Sequence, residues 1–136
     1  SQVVKPAMAE KRIVLCDRYF DATVAYQGVA RELDMEMIFL LHRQAFDDLK
    51  PDLTFLLDLE PAEGLERAWQ QIDGGGRETT ETRFEEEKIV FHEKVREGYL
   101  SLARQEPERF RMIDAGRDEA GVWEQIRDVL CEMFEV

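Results

Sequence analysis

The sequence predicts an α/β fold in which a parallel sheet is flanked by helices. Short apolar runs rich in β-forming residues occur around 13–16, 53–59 and 110–114. Segments with apolar residues at helical spacing separate these runs. Strands that alternate with helices are typical of a parallel sheet joined by crossover helices, so this order of elements favours that class over an all-helical or all-β fold.

The first predicted strand, Ile13–Cys16, is followed at once by an acid and a base, Asp17 and Arg18. Its apolar run is typical of a strand buried on both faces. The second predicted strand, Leu53–Leu59, also carries an acid near its carboxyl end, and the third is Phe110–Asp114. Because open α/β sheets bind their ligands at the carboxyl ends of the strands, we expect a functional site at this edge.

Apolar periodicity predicts the intervening helices, and one long stretch lacks it. The predicted helical segments are 3–8, Phe20–Val29 with its end near Gly28, Leu33–Leu49, a helix opened by Pro61, 85–104 and Val122–Phe134. The stretch 73–84 contains three consecutive glycines, which neither pack nor nucleate a helix. We therefore predict a flexible loop there.

Composition excludes several function classes. The chain has 136 residues and a net charge of −12, so no basic stripe is available for a nucleic-acid backbone or an anionic membrane surface. A small phosphate ligand stays possible because it needs only a few local arginines. Cys16 and Cys131 show no disulfide or metal spacing, which fits a reducing cytoplasm.

Asp17 and Arg18 are the first candidate functional pair. An aspartate at a strand end can hold a metal ion or its water, and the adjacent guanidinium can bind a phosphate through two hydrogen bonds. A strand-end ion pair or turn is the alternative, and the dipeptide alone favours it.

The loop arginines Arg77 and Arg83 are the second candidate pair. Arginines on a mobile lid can close over a phosphoryl group and neutralise its charge. A solvated surface loop is the alternative, and it is the commoner role for a segment of this composition.

Thr23, Tyr26 and Gln27 form the third candidate group, on the helix after Arg18. Helical spacing places Thr23 near Tyr26 and Gln27. A glutamine side chain offers both a donor and an acceptor, as recognition of a base edge requires. The alternative is that all three are ordinary residues of an amphipathic helix.

Taken together, the motifs are more specific than each one alone. The segment Asp17–Gly28 resembles the D-R-[YF]-x-D-S-[ST]-x-A-Y-Q-G signature of bacterial thymidylate kinases. The resemblance continues, in the same order, through 51–59, 63–67, 83–85, 91–99 and 113–115. It implies a three-layer sheet of the P-loop-kinase type and the transfer of a phosphoryl group from ATP to dTMP, with Mg²⁺.

The resemblance also implies roles on the acceptor side of the site. Asp17 would help the Mg²⁺–phosphate site, and Arg18 would contact the phosphates. Tyr26 would lie under the deoxyribose, Gln27 and Thr23 would lie near the thymine, and a further substrate contact would come from Tyr99, in the F-H-x-x-V-x-x-G-Y run.

On the donor side, the resemblance makes Arg77 and Arg83 the catalytic arginines of a lid at about 73–84. It makes the loop Ala115, Gly116 and Arg117 the cradle of the adenine. The implied partners are dTMP and ATP, with no nucleic acid and no membrane. Members of the family are usually homodimers, so we expect a homodimer in the complete enzyme.

Two departures from the family pattern shape our expectations. Ala22 stands where the signature usually has serine, and no segment matches the phosphate-binding motif G-x-x-x-x-G-K-[ST]. We therefore expect residues 1–136 to be the C-terminal part of a single nucleoside-monophosphate kinase domain, incomplete in its sheet and inactive by itself.

The same departures raise a structural question and leave other functions open. In the family a further strand separates the first predicted strand from the second, so we expect those two strands either to pair directly or to need a partner chain. The alternatives in function are a non-catalytic kinase-derived interaction module and a kinase for another nucleoside or deoxynucleoside monophosphate.

Overall fold

A computed structural model describes residues 3–72 and 82–134. Its helices are α1 (Val4–Ala9), α2 (Phe20–Thr23), a π-helix (Val24–Ala30), α3 (Met35–Phe46), α4 (Pro61–Ile72), α5 (Thr82–Gln105) and α6 (Glu119–Phe134). Its strands are β1 (Thr54–Asp58) and β2 (Phe110–Asp114). The predicted alternation of helices with strands is confirmed for β1, β2 and the helices around them.

The two strands form a parallel pair. Thr54 lies opposite Phe110, and the register continues to Asp58 opposite Asp114. Beyond the last pair, the backbone N–H of Ala115 donates to the carbonyl of Asp58 at 2.9 Å. Both strands therefore end together, with an acid at each carboxyl end, as the sequence predicts.

The prediction of a strand at Ile13–Cys16 is wrong for this structure. The segment has no sheet pairing, and Ile13 and Leu15 are 77% and 93% exposed. Of the two expected alternatives, direct pairing of this segment with β1 does not form, because the sheet in the described residues contains β1 and β2 alone. Apolar residues with high β-propensity form a strand only where a neighbouring backbone can accept and donate hydrogen bonds.

The core lies where α5 and the π-helix pack together over β2. One buried cluster contains Val24, Ile38, Leu102 and Phe110. A second cluster joins the π-helix to α5 through small side chains, including Ala25. These contacts fix the π-helix on the sheet, and with it the residues predicted to bind substrate.

The helix predicted from Phe20 forms, but its winding changes and Gly28 does not end it. From Val24 the backbone follows a π-helix that ends at Ala30. A Cβ at Gly28 would lie 2.2 Å from the sulfur of Met35, so this glycine allows close packing against α3. In the next helix, α3, Asp34 caps the amino terminus by accepting hydrogen bonds from the N–H groups of Glu36 and Met37.

Candidate functional site

The structure brings together three of the residues that the sequence predicts for the acceptor site. The guanidinium of Arg18 lies 5.5 Å from the centre of the Tyr26 ring, in cation–π range. Tyr26 also packs edge-to-face against Tyr99, with ring centres 6.4 Å apart, and against Phe91 at 6.1 Å. An arginine above an aromatic floor is suited to bind an anionic group on a planar ligand.

The backbone at Arg18 is strained. Its φ is 55°, in the left-handed region that residues other than glycine seldom adopt. Such strain persists where the surroundings impose it, and it concentrates at functional sites. The conformation aims the Arg18 side chain at Tyr26 although no sheet pairing holds the preceding segment.

Asp17 and Tyr99 are close enough to interact electrostatically. Burial is the main cause that raises the pKa of Tyr99, to about 12. The neighbouring Tyr26 and the carboxylates of Asp21 and Asp17 raise it further, while the charge of Arg18 lowers it. The Tyr99 hydroxyl is therefore neutral at physiological pH and can act as a hydrogen-bond donor.

Thr23 and Gln27 lie on the same helical segment as Tyr26 but differ in their surroundings. Thr23 is exposed at the end of α2. The side-chain oxygen of Gln27 accepts a hydrogen bond from Arg31 at 3.0 Å. Arg31 thus fixes the orientation of the amide and leaves its NH₂ group as the donor for a ligand.

The π-helix is itself a feature of the site. Turns of this wider winding are rare and often occur at functional positions. Here the winding covers Val24–Ala30 and so includes Tyr26 and Gln27. It displaces these side chains from the positions that a regular α-helix would give them, so the exact α-helical spacing used in the sequence argument does not hold.

The loop Ala115–Arg117 is held firmly at the carboxyl end of β2. Arg67 of α4 donates to the carbonyls of Ala115 and Gly116 at 2.9 and 3.0 Å. The N–H of Gly116 donates to the carboxylate of Asp114 at 3.0 Å. In the described part of the chain, no hydrogen bond or ion pair joins this loop to the Arg18–Tyr26 group, so the two predicted binding regions are separate.

Sequence reasoning missed the partner of the acid at the end of β1. Arg96 donates to both carboxylate oxygens of Asp58, at 2.7 and 2.9 Å, and also binds Glu60. These hydrogen bonds hold the pKa of Asp58 below its ordinary value. Arg96 thereby ties α5 to the carboxyl end of β1. The F-H-x-x-V-R run contained this arginine, but its spacing gave no sign of the partner.

Sequence reasoning also missed a buried ion pair between the start of α2 and the residue before β2. Asp21 accepts two hydrogen bonds from Arg109, at 2.7 and 2.8 Å, and both residues are buried. Burial of Arg109 opposes its charge, but the hydrogen bonds that it donates to Asp21 and Glu106 outweigh this effect and raise its pKa. Asp21 and Arg109 are 88 residues apart in the sequence, and nothing local to either residue marks it as a partner.

The predicted lid arginines are not placed by the structure. Arg77 lies outside the described residues, and so does the side chain of Arg83 at the start of α5. Across 3–72 and 82–134, three or more histidine, cysteine or acidic side chains nowhere converge as a metal site would require. The same ranges contain no helix that is both long enough and apolar enough to cross a bilayer.

Comparison with known proteins assigns the chain to a family. The thymidylate kinase family model matches residues 1–126. Thymidylate kinase of Desulfosudis oleivorans is 56% identical over 114 residues, which cover 84% of this chain and 53% of that protein. The enzyme of Oleidesulfovibrio alaskensis is 47% identical over 135 residues, covering 99% of this chain and 64% of the relative.

A solved structure supports the same assignment. The crystal structure of thymidylate kinase from Ehrlichia chaffeensis superposes with a TM-score of 0.65 at 25% identity, covering 97% of this chain and 57% of that one. The chain thus spans between half and two thirds of the length of these relatives. The similarity to this structure confirms the fold class that the sequence predicts, an incomplete α/β fold of the P-loop-kinase type. The chain belongs to the thymidylate kinase family.

Proposed function

We propose that the complete product of this gene transfers the γ-phosphoryl group of ATP to dTMP, and that this chain supplies the acceptor side of the site together with part of the donor side. The observation that carries the proposal is the Arg18 guanidinium held 5.5 Å from the ring of Tyr26, which packs against Tyr99. Family membership adds the chemistry, since the relatives are named thymidylate kinases.

The family resemblance implies the role of each residue, and the chemistry of each side chain suits that role. Arg18 binds the phosphate of dTMP and neutralises charge during transfer. Tyr26 and Tyr99 form the wall against the sugar, where the bulk of Tyr26 disfavours a 2′-hydroxyl. Gln27 and Thr23 contact the thymine, with the Gln27 amide oriented by Arg31.

The donor side uses other parts of the chain. The loop Ala115–Arg117 takes the adenine of ATP, a role that its anchoring by Arg67 supports. Arg77 and Arg83 act as the arginines that close over the transferring group.

Asp17 is the residue of this chain that fits the magnesium ion the family implies. Mg²⁺ is usually held by one or two carboxylates together with waters and substrate phosphates, and Asp17 is an exposed carboxylate next to the proposed phosphate ligand Arg18. When bound, the ion would neutralise charge on the phosphates of ATP.

We further propose that the complete enzyme is a cytoplasmic homodimer. Helix α3 exposes a row of apolar side chains that a second copy would cover: Met37, Leu40 and Leu41 are 52%, 45% and 60% exposed. Two free cysteines, Cys16 and Cys131, are compatible with a reducing compartment.

The decisive experiment measures phosphoryl transfer by the complete gene product. A coupled ADP-release assay with dTMP, dUMP and dCMP should give the highest kcat/KM for dTMP. Arg18→Met should lower that value on the order of a hundredfold, because it removes a charged contact to the transferring group. Arg12→Met is the matched control and should leave the rate unchanged, since Arg12 is exposed and pairs with Glu10 on the surface.

Two results would contradict the proposal. One is a preference for dCMP or dUMP, which would support the alternative acceptor. The other is a full rate in the Arg18→Met protein, which would remove the residue that carries the argument. The 136-residue chain itself should show a negligible rate, because its sequence contains no G-x-x-x-x-G-K-[ST] motif to hold the ATP phosphates.

A further inference from the structure

The buried ion pair of Asp21 and Arg109 has an unusually complete set of partners. Arg109 donates twice to Asp21, once to the Thr54 hydroxyl at 2.9 Å and once to the Glu106 carboxylate at 2.8 Å. The Arg109 and Asp21 side chains are only 10% and 9% exposed. Four of the five guanidinium N–H groups are therefore used, and the fork has one fixed orientation.

The pair joins two parts of the molecule that lie far apart in sequence. Arg109 immediately precedes β2, and its own backbone is fixed, since its carbonyl accepts from the N–H of Thr54 at 2.7 Å. Asp21 lies in the first turn of α2, between Arg18 and Tyr26 in the chain. The segment that carries the acceptor residues is thus tied to the amino-terminal end of both strands.

Stability alone is a weak explanation for such a pair. Removing two charges from water costs much of what their attraction returns, and apolar side chains of similar size often stabilise a core equally well. A double hydrogen bond between a guanidinium and a carboxylate does provide geometric specificity, because it forms in only one relative placement.

We propose that Arg109 is a positioning residue for the acceptor site: its fork on Asp21 sets α2 and the π-helix on the sheet so that Arg18 and Tyr26 face the substrate. This role rests on the proposed function. It predicts a change in the KM for dTMP without a change in the KM for ATP, because the proposed adenine loop Ala115–Arg117 is held by Arg67 and not by this pair.

The test compares Arg109→Lys and Asp21→Asn with the unsubstituted complete gene product. Each variant keeps the approximate size of the side chain but loses the double hydrogen bond. The KM for dTMP should rise about tenfold or more, since small misplacements of a binding group weaken productive binding by factors of this order. The KM for ATP should not change. Arg104→Lys is the matched control, because Arg104 pairs with Glu97 on the surface and both are more than 60% exposed.

The split between the two KM values separates positioning from mere stability. A variant that only unfolds in part loses active enzyme, which lowers the apparent kcat and leaves both KM values unchanged. If the single variants fail to fold, the double variant Asp21→Leu with Arg109→Met replaces the pair with apolar groups, and the same selective rise in the KM for dTMP is expected.

Each remaining outcome overturns a stated claim. A folded variant with an unchanged KM for dTMP, or with equal rises for dTMP and ATP, overturns the positioning role while the proposed function stands. An unsubstituted protein that does not phosphorylate dTMP overturns the proposed function, and the positioning role falls with it.

Discussion

Two apolar runs of similar composition differ in structure: one forms a paired strand and the other does not. Phe110–Asp114 pairs with β1 along its whole length, and Ile113 within it is 1% exposed. Ile13–Cys16 is as rich in β-forming residues, yet it has no partner strand and Ile13 is 77% exposed. The difference shows that β-propensity describes how well a residue fits a sheet, while pairing decides whether the sheet exists.

The loops that follow the two runs differ in the same way. After β2, Arg67 and Gln125 bind the backbone around Asp114 and Gly116. After Cys16, Arg18 contacts the ring of Tyr26 from a strained backbone conformation. The loop after β2 is therefore anchored by hydrogen bonds to its backbone, whereas the turn at Arg18 depends on the side chains that pack around it.

The largest expected effect comes from making the same substitution in both runs. Ile113→Ala should lower the free energy of unfolding of the 136-residue chain by about 2–5 kcal/mol, because it leaves a cavity at a fully buried site. Ile13→Ala should change it by less than about 0.5 kcal/mol, since an exposed side chain loses no packing. Urea denaturation followed by circular dichroism measures both.

A large decrease in the free energy of unfolding of the Ile13→Ala chain would contradict this difference between the two runs. It would mean that Ile13–Cys16 is buried in solution, as it would be if it paired with a second chain. The protein concentration dependence of unfolding distinguishes the two cases, because a paired chain becomes more stable as its concentration rises.

This contrast also explains which parts of the fold could be predicted from sequence. β1, β2 and the helices were predictable because their periodicity is local and their partners lie within the described chain. The absence of a strand at Ile13–Cys16 could not be predicted, because an apolar pattern indicates burial but does not show whether a partner strand is available. For the site, the proximity of Arg18, Tyr26 and Tyr99 agrees with the family motifs that contain them, and their roles in binding stay predictions. Arg109 could not be predicted, because its partner Asp21 is remote in sequence.

An intermediate effect is expected where α5 crosses the π-helix. A Cβ at Gly98 would lie 3.0 Å from the Cα of Ala25 and 3.1 Å from the Cβ of Val29. Both atoms are fixed close to the backbone and cannot move aside, so Gly98→Ala should destabilise the chain by about 1–3 kcal/mol. This contact joins α5 to the π-helix, so the test shows whether close packing holds the π-helix in place as hydrogen bonds hold the loop after β2.

Gly64→Ala in α4 is the matched control for that substitution. Its Cβ would meet only a side-chain carbon of Leu59 at 3.4 Å, an ordinary contact. Alanine is the better helix former by about 1 kcal/mol, so this variant should be neutral or more stable. Equal melting temperatures for the two variants would show that the α5–π-helix contact is looser than the structure indicates.

The smallest expected effect tests whether Arg18, which follows the unpaired segment Ile13–Cys16, lies close to Tyr99 of α5. The pKa of Tyr99 is raised to about 12, first by burial, and the charges of Asp17 and Arg18 act on it in opposite directions. Since the folded state favours the neutral phenol, Tyr99 contributes stability that is fully present below its ordinary pKa of 10.0 and is lost as the pH rises toward about 12. Tyr99→Phe should remove this alkaline loss of stability.

Arg18→Gln should raise the pKa of Tyr99 further, because it removes the positive charge that lowers it, while Lys11→Gln should have no effect. Ultraviolet absorbance of tyrosinate, taken as the difference from the matching Tyr99→Phe protein, isolates this group from Tyr19 and Tyr26. An unchanged Tyr99 titration in Arg18→Gln would place Arg18 away from the aromatic floor, and the acceptor-side turn would then need another element to hold it.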